Sequence, residues 1–259
     1  MPDFLDTLAR DAEETVNECY YEVSTQEASS PISLRKAIQN NKKNAVITEV
    51  KAASPSRGTI RKSFDPEKVA EAMENGGATG ISVLTEPKHF SGSLGYLTKV
   101  RKAVQLPVLM KDIILSPIQL EAASKLGANA VLLIEALFER KYCELSLDEM
   151  ISEVHTRNLE VLLETHNEDE FQSAIETDAD LVGINNRDLR TLKVDIGITE
   201  RILKNYHSHK KIVVSESGVM TPVDLLFLRE CGAQAFLIGS AIMMAANIEE
   251  KVKEFVTAP

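Results

Sequence analysis

The sequence predicts an α/β fold, a (β/α)8 TIM barrel with a helical extension at its amino end. Three observations support this. Eight short apolar runs recur along the chain, segments with helical spacing lie between them, and nearly every run ends on a polar residue. Parallel strands need crossover connections, and barrels of this kind gather polar groups at the carboxyl ends of their strands.

The elements follow in order. Residues 1–44 open with the acidic, helix-patterned "MPDFLDTLARDAEETVNECYYEV" and include "SLRKAIQN" just before the first strand, so this stretch reads as extra helices packed on the barrel. The strand runs are "AVITEV" from Ala45, "GISVLT" from Gly80, "PVLMKD" from Pro107 and "AVLLIE" from Ala130, then "EVLLET" from Glu160, "DLVGIN" from Asp180, "KIVVSE" from Lys211 and "AFLIGS" from Ala235. Between them, "DPEKVAEAMENGG", "SPIQLEAASKLGA", "NEDEFQSAIETDA" and "TPVDLLFLRECGA" each open on an Asp, Ser, Asn or Thr cap, and three of the four close near glycine. Pro66, Pro117 and Pro222 directly follow their caps, where a missing N–H costs nothing. A doubly wound open sheet is the alternative, but it normally has fewer strands and a Gly-rich first turn, and the chain contains no G-x-G-x-x-G.

Length alone allows either two ordinary domains or one barrel; the strand count favours a single barrel domain over residues 1–259. Hydrophobic residues make up 44% and charged residues 26%, enough for a sizeable core. A net charge of −10 argues against a nucleic-acid partner, which a basic stripe would normally serve. Cys19, Cys143 and Cys231 are odd in number and scattered, so neither a disulfide framework nor a paired-cysteine metal site is expected. The amino terminus lacks a basic start and an apolar run, and no stretch is long enough to span a bilayer. The expectation is a cytoplasmic protein with no membrane partner.

The polar residues carry the chemistry. Glu49 and Lys51 end the first run, Lys111 the third, Glu135 the fourth, Glu164 the fifth, Asn185 the sixth and Glu216 the seventh, while the eighth finishes with Gly239 and Ser240. Side chains alternate along a strand, so Ile47, Glu49 and Lys51 share one face, as do Leu109 with Lys111, Leu162 with Glu164, and Val214 with Glu216. Any single one of these charges could be solvated or paired for structure. Two lysines and three glutamates gathered in one concave mouth are costly unless they pair, which points to groups kept for chemistry. "SESGV" at 215–219 and "IGSA" at 238–241 follow the last two strands, where barrels often bind phosphate on backbone N–H groups. Either segment alone reads as a turn.

Taken in order, "EVKAASPSRG", "SVLTEPKHFSGS", "PVLMKDIIL", "VLLIEAL", "LLETHNEDE", "GINNRDL", "VSESGV" and "AFLIGSAIM" resemble the indole-3-glycerol-phosphate synthase family of tryptophan biosynthesis. The resemblance covers nearly the whole chain from the first strand onward. It implies conversion of 1-(2-carboxyphenylamino)-1-deoxyribulose 5-phosphate to indole-3-glycerol phosphate, with loss of carbon dioxide and water and with no cofactor or metal. It further implies that Lys111 is the acid for ring closure and that Glu164 is the acid or base of dehydration. Lys51 would bind anionic groups and donate a second proton, and Glu49 and Asn185 would orient these groups. Glu216 and Ser217 would complete the mouth; Ser54, Arg187 and Phe90 would hold the anthranilate part; Gly218, Gly239 and Ser240 would bind phosphate. The implied partner is a small phosphorylated substrate, on a monomer or weak homo-oligomer.

Plainer readings exist for several of these residues. Asn185 to Arg187 also reads as a turn with a surface arginine, Ser54 and Ser56 flank Pro55 in an ordinary loop, and Phe90 reads as loop packing. His166, two residues after Glu164 on the same strand face, suggests a metal pair, but two ligands without a third make no site. His89, His155, His207 and His209 read as loop or helix-surface residues. Two departures from the family pattern stand out. Ile113 replaces an aromatic residue, which leaves ring stacking weaker or to Phe90 alone, and Glu135 replaces a small or apolar one. A sister barrel such as phosphoribosylanthranilate isomerase would place Cys and Asp where this chain has Glu49, Lys51 and Asn185. A barrel that only binds a phosphorylated ligand would be expected to have lost Lys111 or Glu164.

Overall fold

The computed structural model describes residues 3–24, 32–54, 58–61, 63–206 and 210–259. Pro55, Ser56, His207 and His209 fall outside them. The strands are β1 (Ala45–Val50), β2 (Ala53–Ser54), β3 (Gly58–Thr59), β4 (Gly80–Leu84), β5 (Val108–Lys111), β6 (Ala130–Ile134), β7 (Glu160–Thr165), β8 (Leu181–Asn185), β9 (Ile212–Glu216) and β10 (Ala235–Ile238). The short strands β2 and β3 pair antiparallel with each other. The other eight form a closed barrel, each parallel to its neighbours, with β1 joined to β4 on one side and to β10 on the other.

The helices are α1 (Phe4–Asn17), α2 (Leu34–Gln39), α3 (Pro66–Asn75), α4 (Leu94–Ala103), α5 (Pro117–Lys125), α6 (Glu135–Glu139), α7 (Leu147–Thr156), α8 (Glu168–Glu176), α9 (Gly197–Asn205), α10 (Pro222–Glu230), α11 (Ser240–Met243) and α12 (Ile248–Val256). Their starts follow the local chemistry read from the sequence: Asp65, Ser116, Asn167 and Thr221 are the N-caps of α3, α5, α8 and α10. Three of those side chains, Asp65, Asn167 and Thr221, accept a hydrogen bond from the first turn. No described helix is long and apolar enough to cross a membrane.

Alternation divides the buried apolar residues into two sets. Val46, Val83, Val131, Val161, Val182, Val213 and Phe236 point outward into the layer between strands and helices. Ile47, Leu109, Leu132, Leu162, Leu181, Val214 and Leu237 fill the barrel interior, in one cluster with Leu5 and Leu8 of α1 and with Leu34 and Ile38 of α2. Burying such a side chain contributes about 1.5–3 kcal/mol, so the interior is a packed plug and not a pore.

The amino-terminal helices cover opposite ends of that plug. Before α2, Ser33 Oγ hydrogen-bonds Glu160, the first residue of β7, and Leu34 abuts Gly80, the first residue of β4. Helix α1 lies across the other end, where Phe4 and Leu8 line the mouth. Arg140 pins its start, reaching Asp3 Oδ1 at 2.8 Å and Asp6 Oδ1 at 2.7 Å. His89 Nε2 meets Asp11 Oδ2 at 2.6 Å farther along.

Beyond α1, Tyr21 donates its phenolic hydrogen bond to Asp112 Oδ1 at 2.9 Å, next to the end of β5. Asp112 also accepts from Thr85 Oγ1 and from the Ile113 N–H. Burial pushes the Asp112 carboxyl up to about 6, against the pull of those donors. Below that pH it is neutral in the fold; above it, Tyr21 donates to an anion. Tyr21→Phe is therefore expected to cost about 1.5–3 kcal/mol near pH 8 and about half as much near pH 5. Urea midpoints of wild type and variant at the two pH values check this, and an equal loss at both would exclude it.

Candidate active site

The carboxyl ends of the strands surround a cavity of about 600 Å³. Glu49, Lys51, Ser54, Phe90, Lys111, Glu164, Asn185, Arg187, Glu216, Ser217, Gly218, Gly239 and Ser240 all line it. Residues spread over almost two hundred positions of sequence converge there because their strands are neighbours in the barrel. Register places Leu84 beside Lys111, Ile134 beside Glu164, Glu164 beside Gly183, and Asn185 beside Glu216.

Lys111 is the electrostatic centre. Its Nζ donates to Glu164 Oε2 at 2.8 Å and to Glu216 Oε2 at 3.1 Å. Burial disfavours the ammonium, but Glu164, Glu216 and Glu49 more than offset that and hold it protonated beyond the ordinary lysine range. The two carboxyls answer differently. Burial opposes ionisation of Glu164, yet Lys111 and His166 hold it below the usual carboxylate range. Burial, with the neighbouring Glu164 charge, pushes Glu216 up despite Lys111. The two carboxyls therefore titrate together, Glu164 the readier to ionise and Glu216 the slower.

A second ion pair stands across the mouth, where the Lys51 ammonium contacts Glu49 Oε2. Two glycines make these placements possible. A Cβ on Gly183 would lie 2.2 Å from Glu216 Oε1, and one on Gly239 would lie 2.1 Å from Glu49 Oε2 and 2.7 Å from Lys51 Nζ. Gly239, expected for phosphate, therefore also leaves room for the Glu49–Lys51 pair.

The other expected residues take more varied positions. Ser54 Oγ is buried with no hydrogen-bond partner among the described residues. Asn185 Oδ1 accepts from the Arg187 backbone N–H at 3.0 Å, and the Arg187 guanidinium donates to Leu192 O at 3.2 Å. Ser217 and Gly218 both adopt positive φ, +63° and +91°, which turns the chain sharply after β9. Phe90 sits in a loop shaped by Glu86, whose Oε2 accepts from the N–H groups of His89 and Phe90 at 2.7 and 2.9 Å.

Glu135 departs from its expected position at a strand end. It opens α6 instead, does not line the cavity, and lies with Glu139 and Glu170 on the other side of the wall. Burial pushes its carboxyl up to about 7, helped by the charges of Glu139 and Glu170. His166 meets a carboxylate on each side: its Nε2 is 3.2 Å from Glu164 Oε1 and its Nδ1 is 3.2 Å from Glu170 Oε2. His89 Nε2 and His155 Nε2 lie 2.6 and 3.0 Å from Asp11 Oδ2 and Asp180 Oδ2.

Several site residues escaped the sequence reading. Phe4 and Leu8 from α1 add apolar wall beside Ile113, so Phe90 is not the single aromatic ring at the mouth. Asn186 is buried behind the rim. Its Nδ2 donates to Ser215 Oγ, Glu216 O and Ser217 O at 2.9–3.2 Å, and its Oδ1 accepts from Thr199. It fixes the loop that carries Ser217. Strand parity separates it from the inward Asn185; no local motif marks it.

In chemical terms the mouth offers one persistently charged acid, one ionised carboxylate touching it, a second cation, and two glycines, Gly218 and Gly239, in its lining. Its apolar wall suits an aromatic ring. A likeness in fold alone links the chain to thiamine phosphate pyrophosphorylase from Pyrococcus furiosus, with TM-score 0.60, 17% identity, and coverage of 86% of this chain and 96% of that one. Much nearer is the indole-3-glycerol phosphate synthase of Caldanaerobacter subterraneus subsp. tengcongensis, 44% identical over 84% of this chain and 82% of its own. The protein of the same name from Methanocaldococcus jannaschii is 43% identical over 89% of this chain and 85% of its own. The family model for indole-3-glycerol phosphate synthase matches residues 5–255, and with these relatives it establishes that the chain belongs to that family.

Proposed function

We propose that the chain acts as a carboxy-lyase, closing the indole ring of 1-(2-carboxyphenylamino)-1-deoxyribulose 5-phosphate to give indole-3-glycerol phosphate in the cytoplasm. The observation that carries this reading is the Lys111 ammonium held between Glu164 and Glu216 inside a cavity of about 600 Å³. Ring closure needs a donor to the ketose carbonyl oxygen while the aromatic carbon bearing the carboxylate attacks. Lys111 is that donor. Carbon dioxide then leaves and aromaticity returns. Loss of the new hydroxyl as water needs an acid for oxygen and a base for a proton. Glu164, ionised in the resting site, accepts that proton as base, and Lys51 supplies the acid for the leaving oxygen.

The cavity offers cations to an anionic substrate. Lys51, Lys111 and Arg187 line it, together with the carboxyls of Glu49, Glu86, Asp112, Glu164 and Glu216. Backbone groups at Gly218, Gly239 and Ser240 hold the phosphate. Ser54, whose hydroxyl has no hydrogen-bond partner among the described residues, and Arg187 face the anthranilate carboxylate, with Phe90 and Phe4 against its ring. Glu49, Asn185 and Ser217 orient the sugar hydroxyls. We take the protein to need no cofactor and no nucleic-acid or membrane partner, and to work as a monomer or weak homo-oligomer.

Indole fluorescence after mixing the purified protein with the carboxyphenylamino-deoxyribulose phosphate tests the activity. Lys111→Ala and Glu164→Gln are each expected to lower turnover by about 10²–10⁴-fold while the fold survives. Wild-type rates in both variants would refute the mechanism.

Glu135→Val is expected to leave turnover unchanged, because Glu135 does not line the cavity. The same substitution should raise thermal stability. The raised carboxyl binds its proton more tightly in the fold, so its contribution is present at acid pH and decays as pH rises through about 7. The gain in Tm over wild type should therefore grow between about pH 5 and 8. A gain that shrinks over that range, or lost turnover, would show that Glu135 has another role.

A further inference from the structure

Glu164 meets a cation on each side. Its Oε2 takes the Lys111 ammonium at 2.8 Å in the mouth, while its Oε1 lies 3.2 Å from His166 Nε2. The other ring nitrogen, Nδ1, is 3.2 Å from Glu170 Oε2, and the His166 backbone N–H donates to the same oxygen at 2.7 Å. Glu170 is anchored in turn: Asn167, the N-cap of α8, donates to its Oε1 at 2.5 Å. A chain of contacts therefore runs from the reacting carboxylate through the barrel wall to the first turn of α8.

The far side of this chain borders a second cavity of about 630 Å³, which His166 and Glu170 line together with Glu139, Arg140 and Arg201. Glu135 completes the charged surroundings of the ring, its carboxylate lying within 4.8 Å of those of Glu139 and Glu170. Burial works against charge on the imidazole, but Glu164 and Glu170 outweigh it and lift His166 to about 9. The Nε2 contact to Glu164 is an ion-pair separation and not an aligned hydrogen bond, so the hold is chiefly electrostatic.

A carboxylate that must exchange a proton with substrate needs a fixed direction. A lone contact to Lys111 leaves rotation about the Glu164 side chain open, whereas opposed cations on its two oxygens leave one orientation favoured. We propose that His166 is a positioning residue for the reaction, holding Glu164 from behind as an imidazolium while Glu170 holds His166. The proposal rests on the function proposed above. It assigns His166 no contact with substrate.

Steady-state kinetics across pH separate this from a merely structural role. His166→Ala is expected to lower kcat by about 10–100-fold with KM changed less than about threefold, as misplacement of a catalytic group does. His166→Asn, which keeps a donor without the charge, should recover part of that loss. Wild type should lose turnover above about pH 9 as the ring deprotonates, and neither variant should show that step. Glu170→Gln, remote from the mouth, should move kcat in the same direction by less. Unchanged kcat and pH profile in His166→Ala would overturn the proposal, whatever happens to its Tm. Nitrogen-15 NMR of the ring in the resting protein gives a readout that needs no turnover. Titration near 9 in wild type, falling in Glu164→Gln, supports the contact, and an ordinary titration in wild type overturns it. An inactive wild type would sink the proposed function alone, since the ring titration still decides whether His166 and Glu164 are coupled.

Discussion

The site depends on one buried cation. Lys111 stands at the end of β5, where an ammonium group loses most of its water, and it keeps its charge because Glu164 and Glu216 stand at 2.8 and 3.1 Å. Removing Glu164, the carboxylate nearer the ammonium, would leave that charge poorly compensated inside the mouth, a larger penalty than the pair itself is worth in stability. The same arrangement forces the carboxyls apart in acidity. Two of them cannot both ionise freely around one ammonium, so Glu164 is held low and Glu216 is pushed up. Acid and base are thereby prepared in adjacent side chains, with no change of fold needed to create them.

The barrel supplies the rigidity that this electrostatic arrangement requires. Each charged group sits one alternation above an apolar one on the same strand, Lys111 above Leu109, Glu164 above Leu162, Glu216 above Val214, so the packed interior fixes the stems while the heads face the cavity. Gly183 and Gly239 matter by what they lack: a Cβ at either would strike the Glu216 carboxyl or the Glu49–Lys51 pair. The amino-terminal helices close the two ends of the same plug. Helix α1 brings Phe4 and Leu8 to the mouth, held by Arg140 at its start, while the segment before α2 bonds to the start of β7.

How much of this the sequence disclosed follows from which signals are local. Strand alternation and helix caps are local, and they located the eight strands, the caps at Asp65, Ser116, Asn167 and Thr221, and the shared face of Glu49 and Lys51. Parity also speaks for Glu135, since Ile134 faces inward and its successor must face out, even though Glu135 closes an apolar run. Asn186 beside Asn185 is the same case. Other features depend on partners far away in the chain. Nothing near Gly183 announces that Glu216 will press against it. The charge on His166 comes from Glu164 before it and Glu170 after it, and only the geometry of the strand end and α8 shows both contacts. The contribution of Phe4 to the mouth depends on where α1 docks, which its amphipathic pattern alone does not specify.

The charge state of Lys111 tests the account most directly. Carbon-13 NMR of lysine labelled at Cε, with Lys111 assigned by its loss in Lys111→Ala, follows that one ammonium through alkaline pH. The account predicts that Lys111 stays protonated after the surface lysines have titrated near their usual 10.5, because the carboxylates around it outweigh its burial. A Lys111 that deprotonates with or before the others would contradict it, and would remove the acid on which ring closure is built.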